Sequence, residues 1–220
     1  MARELMADLS YEILHENVYY FPGVIPEIAT LIRTLDEVNS LSVTPWEPWH
    51  ANNDPDEPVY GDLKTLSYSK LRQEADAHVQ EKSAYILNTL LNAMENCCRV
   101  FMEAHGASAD ELEHLRSEIY SDGPVYGIRK YNEGGGMGPH PDRTIPDKDT
   151  YTISVYLDDD YEGGELAVVQ GGLDISIKNK AGSIVVFPSG YLHESKRLTR
   201  GRKTIITHVH TTLRPILRNF

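Results

Sequence analysis

The feature that limits this chain most is a change of period near residue 120. Beyond it come seven short β-rich segments: PVYGIRKYN, DTYTISVYLDD, GGELAVVQ, LDISIKN, AGSIVVF, YLHES and KTIITHVHTT. Gly, Pro, Asp or Asn separates them. Short strands at this spacing, bounded by turn residues, indicate a β-sandwich or barrel. A length of 220 residues suits one domain of the larger β-barrel kind. The expectation is an α+β chain, one domain over 1–220. In it a mainly helical support (1–120) packs against a β core (121–220).

Before residue 120 the apolar residues recur mostly at helical spacing. One early strand around Ile13–Phe21 ends at Pro22-Gly23, and Pro26 suits the first turn of a short helix with Ile28, Leu31, Ile32 and Leu35 on one face. A long, kinked helix is expected from about Ser69 to Ala104. Its stripe is Ile86, Leu87, Leu90, Leu91, Met94, Cys97, Cys98 and Phe101, and Gly106 is the stop. Ser108 with Glu111 reads as a capping box for one more helix. Between these elements, residues 41–62 hold four prolines, both tryptophans and five acids. A connection this long and aromatic reads as a lid, with Trp46 and Trp49 covering a substrate; the alternative is an ordered loop that packs them into the helical half.

Charge and cysteines narrow the setting. A net charge of −12 with dispersed Lys and Arg argues against nucleic acid as a partner and leaves peptide, protein or small-molecule substrates open. The only cysteines are the adjacent Cys97 and Cys98, a poor staple, so a reducing compartment is inferred. The opening MARELMADLSYEILHEN has no apolar core of a signal peptide, and no apolar run reaches membrane-span length. A cytoplasmic protein with no membrane partner is expected; the oligomeric state is not legible.

The chemistry gathers at YNEGGGMGPHPDRT, residues 131–144. On an extended segment His140 and Asp142 point to one face, and the glycines upstream allow a sharp turn and room above a site, with Met137 as a soft wall. His193, following FPSGYL, is the candidate third ligand. Two imidazoles and a carboxylate form the facial triad of non-heme Fe(II) oxygenases, which keeps coordination positions open. Lys203 stands ten residues on. In its strand Lys203, Ile205, Thr207 and Val209 face one way and Thr204, Ile206, His208 and His210 the other. If Ile205 faces inward, a buried ammonium enters the barrel and requires an anion.

These motifs resemble the prolyl 4-hydroxylase-like 2-oxoglutarate/Fe(II) dioxygenases: Tyr131 before the Gly-rich turn, His140-x-Asp142, TISVYLDDDYEGGEL, AGSIVVFPSGYLHE, then Gly201 and Lys203. The resemblance covers roughly residues 124–212. It implies a double-stranded β-helix (jelly-roll) barrel, with iron held by His140, Asp142 and His193. It places Lys203 on the distal carboxylate of 2-oxoglutarate, shared by Tyr156, with Tyr131 and Thr207 nearby. The implied reaction takes Fe(II), 2-oxoglutarate and O2, with ascorbate as a further candidate, to succinate, CO2 and a hydroxylated substrate. A peptidyl-prolyl substrate leads; a free amino acid or other small molecule, or a barrel that binds metal and ligand without turnover, are the alternatives. The chain departs from the family where Asp147-Lys148-Asp149 replaces a common Arg, and where Val209 replaces a common Trp.

Three other groupings are set aside. His208-x-His210 faces away from Lys203 and reads as packing. Asp158-Asp159-Asp160 with Glu162 lacks the spacing of a calcium loop and reads as a solvated turn. His50, His78, His105 and His114 read as surface residues.

Overall fold

The early strand is a hairpin: β1 (Glu12–His15) and β2 (Val18–Phe21) pair antiparallel. α1 (Ile28–Leu41) follows and buries Leu31, Leu35 and Val38, one stripe at helical spacing. The computed structural model describes residues 9–41, 46–48, 59–61, 63–73, 76–121, 127–142, 144–170 and 172–217. Most of the expected lid, Trp49 included, therefore lies outside the described residues. What is described joins both sheets: β3 (Glu47–Pro48) pairs with β5 (Leu63–Ser67), and β4 (Val59–Tyr60) pairs with the strand that carries His140.

The expected long helix is two helices, α2 (Tyr68–Arg72) and α3 (Ala77–Ala104). The break has a local cause. The Asp76 side chain accepts the N–H groups of His78 and Val79 at 2.9 and 3.0 Å, satisfying two donors that a continuous helix would bond internally. The whole expected stripe on α3 is buried. Gly106, at φ +77°, ends it. Ser108 caps α4 (Ala109–Ile119), accepting the Glu111 N–H. The reciprocal half of the capping box is not made. Glu111 is buried and its carboxylate accepts the N–H groups of Leu213 and Arg214, at 2.9 and 3.1 Å, so it ties the C-terminal segment to the helices.

The β core follows as β6 (Gly127–Tyr131), β7 (Gly136–His140), β8 (Thr150–Tyr156), β9 (Tyr161–Gly163), β10 (Leu166–Gln170), β11 (Leu173–Ile177), β12 (Ser183–Pro188), β13 (Leu192–Ser195), β14 (Leu198–Gly201) and β15 (Lys203–Thr211). The larger sheet runs β1-β2-β12-β8-β15-β6-β5-β3 and the smaller β11-β10-β13-β7-β4, while β14 pairs with β9. The central strands β12 and β8 of the larger sheet are buried on both faces, and alternation sorts the side chains. Ile153, Val155, Ile184, Val186 and Ile206 join the helices in one apolar cluster. Tyr156, Val185, Phe187 and Ile205 join Met137, Leu166 and Val168 of the smaller sheet in a second. The result is an α+β double-stranded β-helix, with the helices on the outer face of the larger sheet and the site between the sheets.

Candidate active site

β7 and β13 are neighbours in the smaller sheet, and His140 stands directly opposite His193 in their register. This close pairing depends on glycine: a Cβ on Gly136 would lie 2.8 Å from the Ser195 carbonyl oxygen. Asp142 falls two residues past His140. Its N–H donates to the Ser189 carbonyl at 2.8 Å, and the Thr152 hydroxyl donates to its Oδ2 at 2.6 Å. The larger sheet thus aims the carboxylate of the smaller one.

The imidazole protons follow from their partners. His140 Nδ1 lies 2.7 Å from the Gly138 carbonyl oxygen, and His193 Nδ1 lies 2.9 Å from that of Tyr191. A carbonyl only accepts, so both rings carry hydrogen on Nδ1 and leave Nε2 as a lone pair. Those Nε2 atoms lie 3.9 and 3.4 Å from the Asp142 carboxylate oxygens, and the two rings are 4.5 Å apart. One atom from each of the three residues lies within 4.8 Å of the others. Two lone pairs and a carboxylate converging on one point repel unless a cation sits among them. The donor set fits Fe(II), which these three residues would hold. Burial pushes the proton affinity of His193 down, against the pull of Asp142, which keeps the ring neutral as ligation requires.

Lys203 lies at the other end of the same pocket, completely buried. Its Nζ donates to the Gly164 carbonyl and the Ser195 hydroxyl, both at 2.6 Å, and sits 5.2 and 5.5 Å from the rings of Tyr131 and Tyr156. Gly164, at φ +69°, lets that carbonyl approach; a Cβ there would lie 2.7 Å from Leu198 Cδ1. Burial pushes the Lys203 pKa down to about 7, with Asp158 and Glu165 opposing only in part. Arg202 is exposed, as the alternation requires.

Every pocket residue named from sequence other than the tryptophans lines this space: Tyr131, Met137, His140, Asp142, Tyr156, His193, Lys203 and Thr207. Sequence reasoning missed Arg129, Ser154 and Ser195 on the same lining, and Thr152, which positions Asp142. Two-residue alternation was the available signal: Arg129 precedes Tyr131 by two positions, and Thr152 and Ser154 share a face with Tyr156. Trp46 is elsewhere. It packs against the helical cluster, with the Lys130 ammonium 4.3 Å from its ring, which is the alternative the sequence left open.

The structure corrects two surface assignments. His105 packs its ring against Phe101, 4.5 Å between centroids, and bonds Asn17. His114 lies 5.4 Å, ring to ring, from the buried His210, and its Nε2 donates to the Thr211 carbonyl. Glu118 completes that group, 2.6 Å from His210 Nδ1 and accepting the Thr211 N–H. These bonds fasten α4 to the outer face of β15. Asp149 accepts the N–H groups of Ile216 and Leu217 and so anchors the C-terminal turn.

Residues 126–210 match the family model described as the 2OG-Fe(II) oxygenase superfamily. The chain is 34% identical over 130 residues to a PKHD-type hydroxylase of Sphingopyxis alaskensis, covering 55% of this chain and 58% of that one. It is 33% identical over 86 residues to a PKHD-type hydroxylase of Colwellia psychrerythraea, 36% of this chain and 39% of that one. The matches thus span from about two fifths to three fifths of these relatives. Among solved structures, a Trichoplax adhaerens prolyl hydroxylase in complex with a hypoxia inducible factor peptide fragment superposes at TM-score 0.57. It shares 15% identity and covers 90% of this chain and 84% of its own. A Burkholderia pseudomallei oxidoreductase of the 2OG-Fe(II) oxygenase family superposes at 0.52, with 19% identity over 89% and 85%. At these identities the superpositions speak for the double-stranded β-helix, and the sequence match speaks for the triad-bearing half. The similarity to the 2OG-Fe(II) oxygenase superfamily thus falls on residues 126–210, the segment that carries the two histidines, Asp142 and Lys203.

Proposed function

We propose that this protein is a 2-oxoglutarate- and Fe(II)-dependent dioxygenase that hydroxylates a substrate C–H, of the prolyl 4-hydroxylase type. The supporting observation is one pocket with two unlike ends. At one end two imidazole lone pairs and a carboxylate face a common point; at the other a buried ammonium donates to a carbonyl and a hydroxyl. A 2-oxo dicarboxylate is the ligand class that answers both. His140, Asp142 and His193 would hold the iron, which supplies O2 activation coupled to oxidative decarboxylation of the 2-oxo acid. Lys203, with the Tyr156 and Tyr131 hydroxyls, would orient the distal carboxylate and fix which face of the metal stays open. Peptidyl proline is the proposed substrate class, in line with the PKHD-type and prolyl hydroxylase names of the relatives. The free, buried Cys97 and Cys98 accord with a reducing, cytoplasmic setting; among the described residues no helix is long and apolar enough to cross a membrane.

The test is succinate production from 2-oxoglutarate with Fe(II) and ascorbate, with and without prolyl peptides or free amino acids. Wild type should form succinate, and His193→Ala should lose both turnover and metal stoichiometry. Stoichiometric iron with no succinate under any substrate would make the protein a binding barrel. Stimulation by an amino acid rather than a peptide would move the substrate class.

A further inference from the structure

We propose that Arg129 is a second carboxylate anchor, holding the metal-side carboxylate of the 2-oxo acid while Lys203 holds the distal one. This rests on the reading above and adds a residue to it. Arg129 and Tyr131 face the space between the sheets, since both line the pocket. Their neighbours Ile128 and Lys130 face the helical side, one in the helical cluster and the other over Trp46.

Register places Arg129 along the pocket. Tyr131 stands opposite Lys203 and Arg129 opposite Ile205. The next inward pair on the adjoining strands is Thr207 with Ser154, and the next is Val209 with Thr152, whose hydroxyl bonds Asp142. Each such layer is about 6.6 Å, two strand residues. Arg129 therefore springs one layer from Lys203 toward the metal ligands, and its side chain is long enough to reach the layer between. A guanidinium presents parallel donors that match a carboxylate edge, whereas an ammonium acts as a point charge. Two cations, one near each end of one narrow pocket, match the two carboxylates of a 2-oxo diacid.

The test separates the two ends by choice of ligand, using Mn(II)-loaded protein and calorimetric binding of 2-oxoglutarate and oxalate. Oxalate offers a metal-side carboxylate and no distal arm. Arg129→Gln should weaken both ligands by about tenfold or more, the scale of one charge-assisted hydrogen bond, while Mn(II) affinity stays. Arg129→Lys should fall between, keeping the charge without the fork. Lys203→Met should weaken 2-oxoglutarate and leave oxalate alone. The inference is overturned if Arg129→Gln leaves both ligands within about twofold of wild type. It is also overturned if the variant weakens 2-oxoglutarate only, or loses Mn(II), since Arg129 would then serve the distal end or the triad. Failure of the wild type to bind Mn(II) or 2-oxoglutarate would instead sink the proposed function. Should Arg129→Gln fail to fold, the Arg129→Lys pattern alone decides, with unchanged binding of both ligands counting against the fork.

Discussion

Replacing Lys203 with Met should make the ligand-free protein more stable, the reverse of the usual effect of cutting buried hydrogen bonds. Burial moves the Lys203 pKa from 10.5 to about 7, a difference of about 3.5 units, or about 5 kcal/mol at 1.36 kcal/mol per unit. The sign follows from linkage. The folded pKa lies below the unfolded one, so the neutral amine is the form the fold prefers. The full stability is present above pH 10.5, is lost as pH falls through the window from 10.5 to about 7, and stays low below it. Methionine removes that penalty. It also leaves the Gly164 carbonyl and Ser195 hydroxyl without their donor, which costs about 1–3 kcal/mol. The net gain at neutral pH is about 2 kcal/mol or more, and at roughly 2–4 °C per kcal/mol for a chain of this size the melting temperature should rise by at least about 4 °C.

The assay is urea denaturation of wild type and Lys203→Met at pH 7 and pH 9.5 without metal or ligand. At pH 9.5 only about one unit of the window remains, about 1.4 kcal/mol, so the variant should lose its advantage there. Saturating 2-oxoglutarate with Mn(II) should raise the midpoint of wild type more than that of the variant, because a carboxylate restores the charged lysine. A variant less stable at pH 7, or a gap between the proteins that ignores pH, would refute the argument: the ammonium would then be held charged by an anion already in the fold.

Three further outcomes are expected. Burial, reinforced by His210, pushes the His208 pKa down to about 3, so its share of stability is present above pH 6.5 and is lost as pH falls from there toward 3; His208→Leu should flatten the stability profile between pH 6.5 and 4 by about 1.4 kcal/mol per unit, and an unchanged slope would show that another group sets it. Trp46→Ala should destabilise by about 2 kcal/mol through lost packing and the lost Lys130 stacking, with coupled and uncoupled turnover moving together; a selective loss of coupled turnover would put Trp46 at the substrate after all. Glu111→Gln leaves one of the Leu213 and Arg214 N–H groups poorly met, so about 1–3 kcal/mol of stability should go and limited proteolysis should cut sooner near residue 213; unaltered cutting would mean the C-terminal segment is held by Asp149 alone.

Much of the site was legible because strand alternation carries it. His140 and Asp142 are two apart, as are Lys203, Ile205 and Thr207, and each set faces one way by geometry alone. The direct opposition of His140 and His193 was not legible, since it depends on the register of β7 against β13. The second histidine came from motif order. Two helical expectations failed for local reasons. Asp76 stops a helix that the apolar stripe would have carried through, and Glu111 leaves its capping partner for two backbone donors about a hundred residues away. Strand β5 went unread because Leu63–Ser67 is short and polar, and its place in the sheet comes from pairing with β6 and β3. The side on which Trp46 packs depends on the sheet it crosses, which no local pattern states.

On β15, residues of both parities are buried: Ile205 lies in the inner cluster and Ile206 in the outer one. A hydrophobic pattern therefore could not choose the register there, because a strand buried on both faces reads as a continuous apolar run. Charge chose it. Arg202 and Lys203 are adjacent, so one must face the pocket and the other the outside, and the fold exposes Arg202. The outer parity has its own constraint, since Glu118 on α4 bonds the Thr211 N–H and approaches His210, which locks the helical support to that face. A one-residue slip would carry His210 into the pocket and Lys203 onto the helices, stranding an ammonium in an apolar layer and a carboxylate without its partner. The helical support thus does more than cover the sheet: its carboxylate on α4 helps specify which residues of β15 the pocket between the sheets receives.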